Sequence, residues 1–193
     1  MLLGEVTFTV DLGEHGYFIG FDDDYDFPDE MPFGWRCGPA SESLAIVLPT
    51  TDTGPLQLTV QVHDGPPAPE ADDGWEPAEE MSLLADAPAL CLATIGQGDF
   101  WDAWPEEEQP LEVPPSAGGG EWVRMRLYCH ADDTTPGIGD HGERHLVQLW
   151  RAPAMDPVHP PLSDEDRQAR AQYAADMASP AEDYTTEYPG GLC

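Results

Sequence analysis

Apolar and polar residues alternate with a period of two over several short runs of this sequence. In "EVTFTVD" (residues 5–11), Val6, Phe8 and Val10 fall on one face, and the residues between them are polar. The runs "LQLTVQVHD" (56–64) and "EWVRMRLYCHA" (121–131) repeat the pattern. Such alternation predicts β-strands with one face in the core and the other in water.

Further strands are predicted at residues 16–21, 43–49, 81–85, 91–95 and 144–153. The first of these is expected to pair with residues 5–11 across a turn. The second is continuously apolar, and we expect it to be covered on both faces. The last is expected to form a long hairpin with residues 121–131, because a turn-rich loop joins them.

The connectors at residues 64–80 and 104–120 are rich in proline and in acidic residues. Proline excludes such segments from central strands and from helix interiors. Short strands separated by turns, without alternating helices, indicate an all-β fold. The sequence therefore predicts an antiparallel β-sandwich with Pro- and acid-rich loops.

The C-terminal part of the 193-residue chain has a different composition. Ser163, followed three residues later by Asp166, is a candidate N-cap for a helix over 163–178 that is rich in Ala, Arg and Gln. Its apolar positions are mostly alanine, so we expect a weakly docked helix. We predict a sandwich domain at residues 1–153, a tail at 154–193, and a disordered end to that tail.

The charge balance restricts the partners of the protein. Seven arginines and no lysine oppose 38 acidic residues, for a formal net charge of −31. This charge repels nucleic acid and anionic membranes, and it attracts basic proteins through long-range steering. Salt adaptation and a GC-rich coding sequence would also enrich acidic residues, and the composition leaves both explanations open.

Targeting signals and cysteine pairs are not evident. The N-terminal "MLLGEVTFTV" has no basic segment and reads as a strand, and no run has the apolar length of a membrane helix. Cys37, Cys91, Cys129 and Cys193 are scattered and form no C-x-x-C pair. We expect a cytoplasmic protein with reduced thiols.

The acidic run "FDDDYDFPDE" (21–30) resembles a calcium loop only in part. Asp22, Asp24 and Asp26 have the spacing of the first ligands, but a helix-loop-helix site needs Gly at its sixth position and Glu at its twelfth. Those positions hold Phe27 and Phe33. The sequence therefore predicts no metal site here.

Catalytic and zinc motifs are also weak. His130, His141 and His145 lie near one predicted hairpin beside Cys129, but the glycine-rich "GDHGE" gives their spacing little meaning. We expect His145 to begin a strand and to form local hydrogen bonds. No nucleophile elbow, P-loop or dinucleotide fingerprint occurs, so we predict a non-catalytic protein without metal or cofactor.

The polar face of the strand at 121–131 groups Arg124 and Arg126 with Trp122 and Tyr128. We expect this face to be exposed. The favoured interpretation is structural: each arginine pairs with carboxylates, and the rings shield the pairs. A binding patch is the alternative.

"GEWVRMRLYCHADD" followed by "ERHLVQLWRAP" is similar to a pattern in acidic actinobacterial proteins that look related to the competence protein J family of DNA-entry nuclease inhibitors. The runs "VTFTVDLGEHGYFI" and "GWRCGPASESLAIVLP" fit the same layout, and the resemblance spans residues 5–153. It implies a β-sandwich and an inhibitory role toward a nuclease. No functional residue matches position by position, so none is carried over.

Two stretches combine dense carboxylates with aromatic rings, "FDDDYDFPDEMPFGW" and "DFWDAWPEEE". Charge attracts a basic cleft, and rings provide the desolvated anchors that charge alone cannot. The predicted partner-binding residues are Asp22, Asp23, Asp24, Tyr25, Asp26, Phe27, Asp29, Glu30, Trp35, Asp99, Trp101, Asp102, Trp104, Glu106, Glu107 and Glu108.

The leading hypothesis is an acidic binding protein, an inhibitor or immunity protein that occupies the cationic cleft of a nuclease or another basic toxin. One alternative is a structural β-sandwich subunit of a larger complex. Another is a carbohydrate- or small-ligand-binding sandwich, in which Trp35, Trp75, Trp101 and Trp104 serve as stacking platforms. A metal-dependent hydrolase is the remaining alternative.

Overall fold

The computed structural model describes residues 1–14, 16–28, 31–70, 74–115 and 121–178. Within them the secondary structure is mostly β, in two sheets, with one short helix. The elements are β1 (Leu2–Leu12), β2 (Tyr17–Gly20), β3 (Cys37–Pro39), β4 (Leu44–Val47), β5 (Thr51–His63), β6 (Glu79–Leu84), β7 (Cys91–Gly96), β8 (Asp99–Asp102), β9 (Trp122–His130), β10 (Gly137–Ile138), β11 (Arg144–Arg151) and α1 (Asp164–Ala178).

The first sheet has the strand order β1-β5-β11-β9-β6, and β10 pairs with β5. β9 and β11 are antiparallel neighbours, which confirms the predicted long hairpin. β5 and β11 run parallel, with Val60 opposite Val147, so the expectation of a wholly antiparallel fold is wrong. Parallel pairing requires a long crossover, and the segment between these strands supplies it by visiting the other sheet.

The second sheet has the order β3-β4-β2-β7-β8, and its pairs are antiparallel. The expected pairing of residues 16–21 with 5–11 is wrong, because β2 lies between β4 and β7. Every residue of β2 is buried, and a strand with two apolar faces needs a central position. The chain changes sheets at Gly13 and Gly16, where a Cβ atom would meet backbone oxygens at 2.6 and 2.4 Å.

One cluster of buried side chains takes members from both sheets. β5 contributes Leu56, Leu58, Val60 and Val62, which are the residues that the alternation placed inside. The second sheet contributes residues of β2, β4 and β7 to the same cluster. The predicted inner faces of residues 5–11 and 121–131 are confirmed, as is full coverage of 43–49 at β4.

A buried polar network joins the two sheets. The Tyr17 hydroxyl on β2 lies 2.9 Å from His145 Nδ1 on β11, and His145 Nε2 lies 3.0 Å from Glu143 Oε1. The two carboxylate oxygens of Glu143 also accept the backbone N–H groups of Thr50 and Thr51 at 2.8 and 2.7 Å. His145 thus lies at the start of a strand and bonds locally to Glu143, as predicted, whereas its bond to Tyr17 of the other sheet is long-range and was not predicted.

Burial and hydrogen bonding act on the pKa of Glu143 in opposite directions. Burial raises it, but the hydrogen bond and charge of His145 and the two backbone donors prevail, so the pKa falls from 4.5 to about 2. Burial raises the pKa of Tyr17, with nearby Cys129 and Glu143 adding to the effect. The Tyr17 hydroxyl, which is hydrogen-bonded to His145 Nδ1, is therefore kept neutral.

The chain continues along the first sheet after β11. Val158 forms an antiparallel bridge with Glu80 of β6, and His159 Nδ1 lies 2.9 Å from Glu79 Oε2. Ser163 Oγ then accepts the Asp166 backbone N–H at 3.0 Å and caps α1, as the sequence predicts. The tail residues 179–193, predicted as disordered, lie outside the described residues.

Candidate protein-docking surface

The candidate surface is built on the outer face of the second sheet. Alternation along β2 turns Tyr17 and Ile19 into the main core, so Phe18 points to the opposite side. There Phe18 joins Ile46 of β4 and Ile95 of β7 in a second buried cluster. A sheet face this apolar must be covered, and the following acidic segment covers it.

Rings of the acidic segment pack directly on Phe18. The ring centroids of Tyr25 and Phe27 lie 5.8 and 6.1 Å from that of Phe18. Phe100 on β8 lies 5.3 Å from Phe18, edge to face, and 5.6 Å from Phe27. The structure therefore brings the two predicted acidic stretches together, with Phe18 and Phe100 holding them.

We define the acidic face as residues 22–27 together with β8. The side chains of Asp23, Asp24, Asp26, Asp99 and Asp102 are exposed. Asp102 shares the side of Phe100, whereas Asp99 alternates with Phe100 and points to the other side of β8. Two of these carboxylates bond locally: Asp26 Oδ1 accepts the Phe27 N–H at 2.8 Å, and Asp102 Oδ1 accepts the Trp104 N–H at 3.0 Å. Such contacts hold the backbone and leave the negative charges in water.

The Tyr25 hydroxyl marks the point where the two stretches meet. Burial raises the pKa of Tyr25, and the charges of Cys91, Asp102 and Asp23 raise it further. Burial also raises the pKa of the Cys91 thiol, with Asp23 and Asp102 adding to the effect. Both shifts show that carboxylates from the acidic segment and from β8 surround one spot.

Two exposed aromatic rings flank β8, one on each side of the second sheet. Phe27 lies on the side of Phe18, whereas Trp101 lies opposite Thr94, and Thr94 lies opposite Tyr17, so the Trp101 ring is on the other side. Phe27 is 48% exposed and Trp101 is 59% exposed. The indole N–H of Trp101 donates to the Gly96 carbonyl at 3.1 Å, which fixes the ring while leaving its surface open. Exposed, immobilised rings beside carboxylates are the combination that a protein interface uses as anchors.

Other predicted partner-binding residues lie elsewhere. Trp104 is buried in the main core, 5.6 Å from Phe8, so its ring is not available at the surface. Glu106, Glu107 and Glu108 are exposed in the turn that follows it. Asp29 and Glu30 lie outside the described residues.

Trp35 belongs to the docking of the C-terminal segment. His159 stacks on its ring at 4.0 Å, and the Arg170 guanidinium of α1 lies 4.2 Å from its centroid. Two groups this close to one ring centroid must occupy opposite faces, so both faces of Trp35 are covered. Together with the burial of Trp104, this removes two of the four rings proposed as carbohydrate platforms.

The polar face of β9 is covered rather than exposed, which corrects the sequence expectation. Arg124 is only 2% exposed, because the carbonyls of Met155 and Asp156 lie over it at 3.2 Å. The predicted pairing is confirmed: Arg124 and Arg126 contact the two oxygens of Glu80 at 3.0 and 2.7 Å. The shielding ring is Trp150, 5.0 Å from the Arg126 guanidinium.

Within the described part of the chain, arginine–carboxylate pairs form away from the acidic face. Arg36 pairs with Glu76 at 2.5 Å, and Arg167 pairs with Asp164 on α1. Arg144 lies over the ring of Trp75. The carboxylates of the acidic face are thus left without a cationic neighbour from these arginines.

The predicted hairpin histidines do not converge. His145 is buried in the network between the sheets, whereas His130 lies 3.1 Å from Asp132 and His141 lies 3.8 Å from Asp133. Among the residues that the structure describes, no three His, Cys, Asp or Glu side chains are arranged to hold a metal ion. The same residues contain no helix with the length and apolarity required to cross a membrane.

No family model matches the sequence, and no curated protein matches it either. Two solved structures are distantly similar to this chain. ComJ from Bacillus subtilis, an inhibitor of the DNA-degrading activity of NucA, has a TM-score of 0.46 at 8% identity over 79% of this chain and 99% of ComJ. The protein of crocagin biosynthetic gene J has a TM-score of 0.43 at 15% identity over 77% of this chain and 98% of its own. The structural neighbours thus include a member of the family that the sequence resembles, and the relationship is distant.

Proposed function

We propose that the protein is an acidic, non-catalytic binding protein that neutralises a basic partner, a nuclease or another toxin, by occupying its cationic cleft. The observation that carries the proposal is the acidic face. Exposed carboxylates from two separate segments, among them Asp23 and Asp102, converge there beside Phe27, which is 48% exposed.

The architecture supports a rigid presentation of that face. The two sheets share one core, and we propose that they form a β-sandwich with the acidic face on its outside. Rings that pack on Phe18 hold the acidic segment in place before a partner arrives, which reduces the ordering cost of binding. The net charge of −31 adds long-range attraction for a basic protein.

Capture of basic proteins from native lysate tests the proposal. We compare the wild-type chain with a triple variant, Asp23→Asn, Asp24→Asn and Asp26→Asn, at about 0.05 M and about 1 M salt, where the screening length falls to about 3 Å. A basic protein should be retained by the wild type at low salt, lost by the variant, and released at high salt.

A matched control separates the acidic face from the overall charge. The variant Asp86→Asn, Asp156→Asn and Glu165→Gln removes the same number of exposed carboxylates elsewhere. It should retain the partner nearly as well as the wild type. Equal loss in both triple variants would show that only net charge matters, and the proposed docking face would be rejected.

A further inference from the structure

The strand β1 forms an open edge of the first sheet. It lies at the end of the strand order and pairs with β5 alone, over nearly all of its 11 residues. An uncovered edge of this length presents a row of free backbone donors and acceptors to other chains. Its direction and side chains determine what could pair with it.

The register shows which residues of β1 face the open edge. The Gln57 N–H donates to the Glu143 carbonyl at 3.0 Å, so the backbone polar groups of Gln57 point away from β1. Thr9 lies opposite Gln57. In an antiparallel pair, when the backbone N–H and C=O of one residue point away from the partner strand, those of the residue directly opposite also point away. The backbone groups of Thr9 therefore face the open edge, and alternation places those of Glu5, Thr7 and Asp11 there too.

These outward groups have no backbone partner on the open side within the described ranges. The four residues also expose their side chains, and carboxylates lie at both ends of the row, Glu5 and Asp11. Below the edge, on the core side, Phe8, Ala103 and Leu111 are only partly buried. An added strand would thus meet acid on one face and apolar side chains on the other.

We propose that the β1 edge accepts an extended strand from the basic partner, so that docking is completed by backbone pairing. The strand that fits alternates Lys or Arg, opposite Glu5 and Asp11, with apolar residues over Phe8 and Leu111. This inference rests on the proposed function, and it adds a second contact region to the acidic face. Addition of a strand to a sheet edge is an established mode of peptide recognition.

Charge favours a basic strand over a second copy of this chain. Two copies would each carry −31, and pairing through β1 would bring the carboxylates of Glu5 and Asp11 from both copies close together. Like charges across a strand pair are destabilising, whereas opposite charges stabilise it. The edge therefore selects a cationic strand.

The test uses a synthetic peptide of about nine residues, the length of an ordinary strand, that alternates Lys and Val. Its binding is measured by isothermal titration at low salt to the full wild-type chain, to Thr9→Pro and to Thr9→Val. Proline removes the outward N–H of Thr9 but leaves the hydrogen bonds between β1 and β5 intact, so Thr9→Pro should fold. Circular dichroism checks the fold. Thr9→Val keeps the N–H and is the matched control.

We expect the peptide to bind the wild type and Thr9→Val equally and Thr9→Pro about tenfold more weakly, because a backbone bond is lost and the ring obstructs the strand. A peptide methylated at its backbone nitrogens should be weakened to a similar extent. Binding should also slow hydrogen exchange at the amides of Thr7 and Thr9.

If Thr9→Pro binds the peptide as tightly as the wild type, or if the methylated peptide binds as tightly as the unmodified one, charge alone holds the peptide. The β1 edge would then be excluded as the binding site. Absence of peptide binding to the wild type would overturn the edge inference as well. Neither result affects the acidic face, which the lysate experiment tests separately. A wild-type dimer in sedimentation that Thr9→Pro dissociates would assign the edge to a second copy instead.

Discussion

Replacing Glu143 by glutamine tests the network that joins the sheets. Glu143 is almost fully buried, and its two oxygens accept hydrogen bonds from Thr50, Thr51 and His145. Glutamine offers one oxygen in place of two and turns an NH₂ group toward a buried N–H donor. An unsatisfied buried donor and the lost charge both destabilise the folded state.

The pKa of Glu143 gives the magnitude. A fall from 4.5 to about 2 corresponds to about 3 kcal/mol of stabilisation, at about 1.4 kcal/mol per pKa unit. Because the folded-state pKa is lowered, this stabilisation is complete above pH 4.5 and is lost as the pH falls toward 2. At pH 3 only about 1 kcal/mol should remain.

Urea unfolding of the wild type and Glu143→Gln at pH 7 and pH 3 measures the effect. We expect the variant to be about 3 kcal/mol less stable at pH 7, and the difference to shrink by about 2 kcal/mol at pH 3. Glu165→Gln, at an exposed position of α1, is the control and should change stability little. A difference that is absent at pH 7, or identical at both pH values, would refute the account of Glu143.

Three further predictions follow from the packing. Phe18 is fully buried beneath residues 22–27, so Phe18→Ala should lower the free energy of unfolding by about 3 kcal/mol or more. The same variant should make residues 22–27 the first site of limited proteolysis. Protection of this segment equal to that in the wild type would contradict the anchoring role of Phe18. Trp35→Ala should release α1, detected as faster proteolysis near Arg170 with the sheets intact, since His159 and Arg170 both rest on that ring. In the free protein, hydrogen exchange should alternate along β1. The amides of Val6, Phe8 and Val10, which face β5, should exchange slowly, and those of Thr7 and Thr9, which face the open edge, should exchange fast. Uniform protection would show that the edge is covered.

The sequence predicts the strands well because burial follows a period of two. Alternation alone identifies the inner residues of β1, β5 and β9, and these lie in the shared core, except that Phe8 is partly buried against it. The partner of β2 was not predictable in this way. Pairing is decided by both faces of a strand, and β2 is apolar on both, which suits a central position and not a hairpin with β1.

The sequence proposes the residues of the candidate site but not their arrangement. The two acidic stretches do meet, but the sequence could not show that Tyr25 and Phe27 would pack on Phe18 and Phe100. The alternation of side chains in "YFI" (17–19) is the sequence feature that could have indicated it, since it places the ring of Phe18 on the outer face of the strand. Trp104 shows the limit of composition, because a ring among carboxylates can equally well turn into the core.

The parallel pairing of β5 with β11 has a consequence for synthesis of the chain. Among the described residues, β11 is the last strand to leave the ribosome, yet it lies in the middle of the first sheet, between β5 and β9. Until residue 151 emerges, β5 and β9 each carry one unpaired side, and the sheet is split into two halves. A nascent chain of this topology must remain incomplete, and in need of protection from neighbours, until nearly all of its β-structure has been translated.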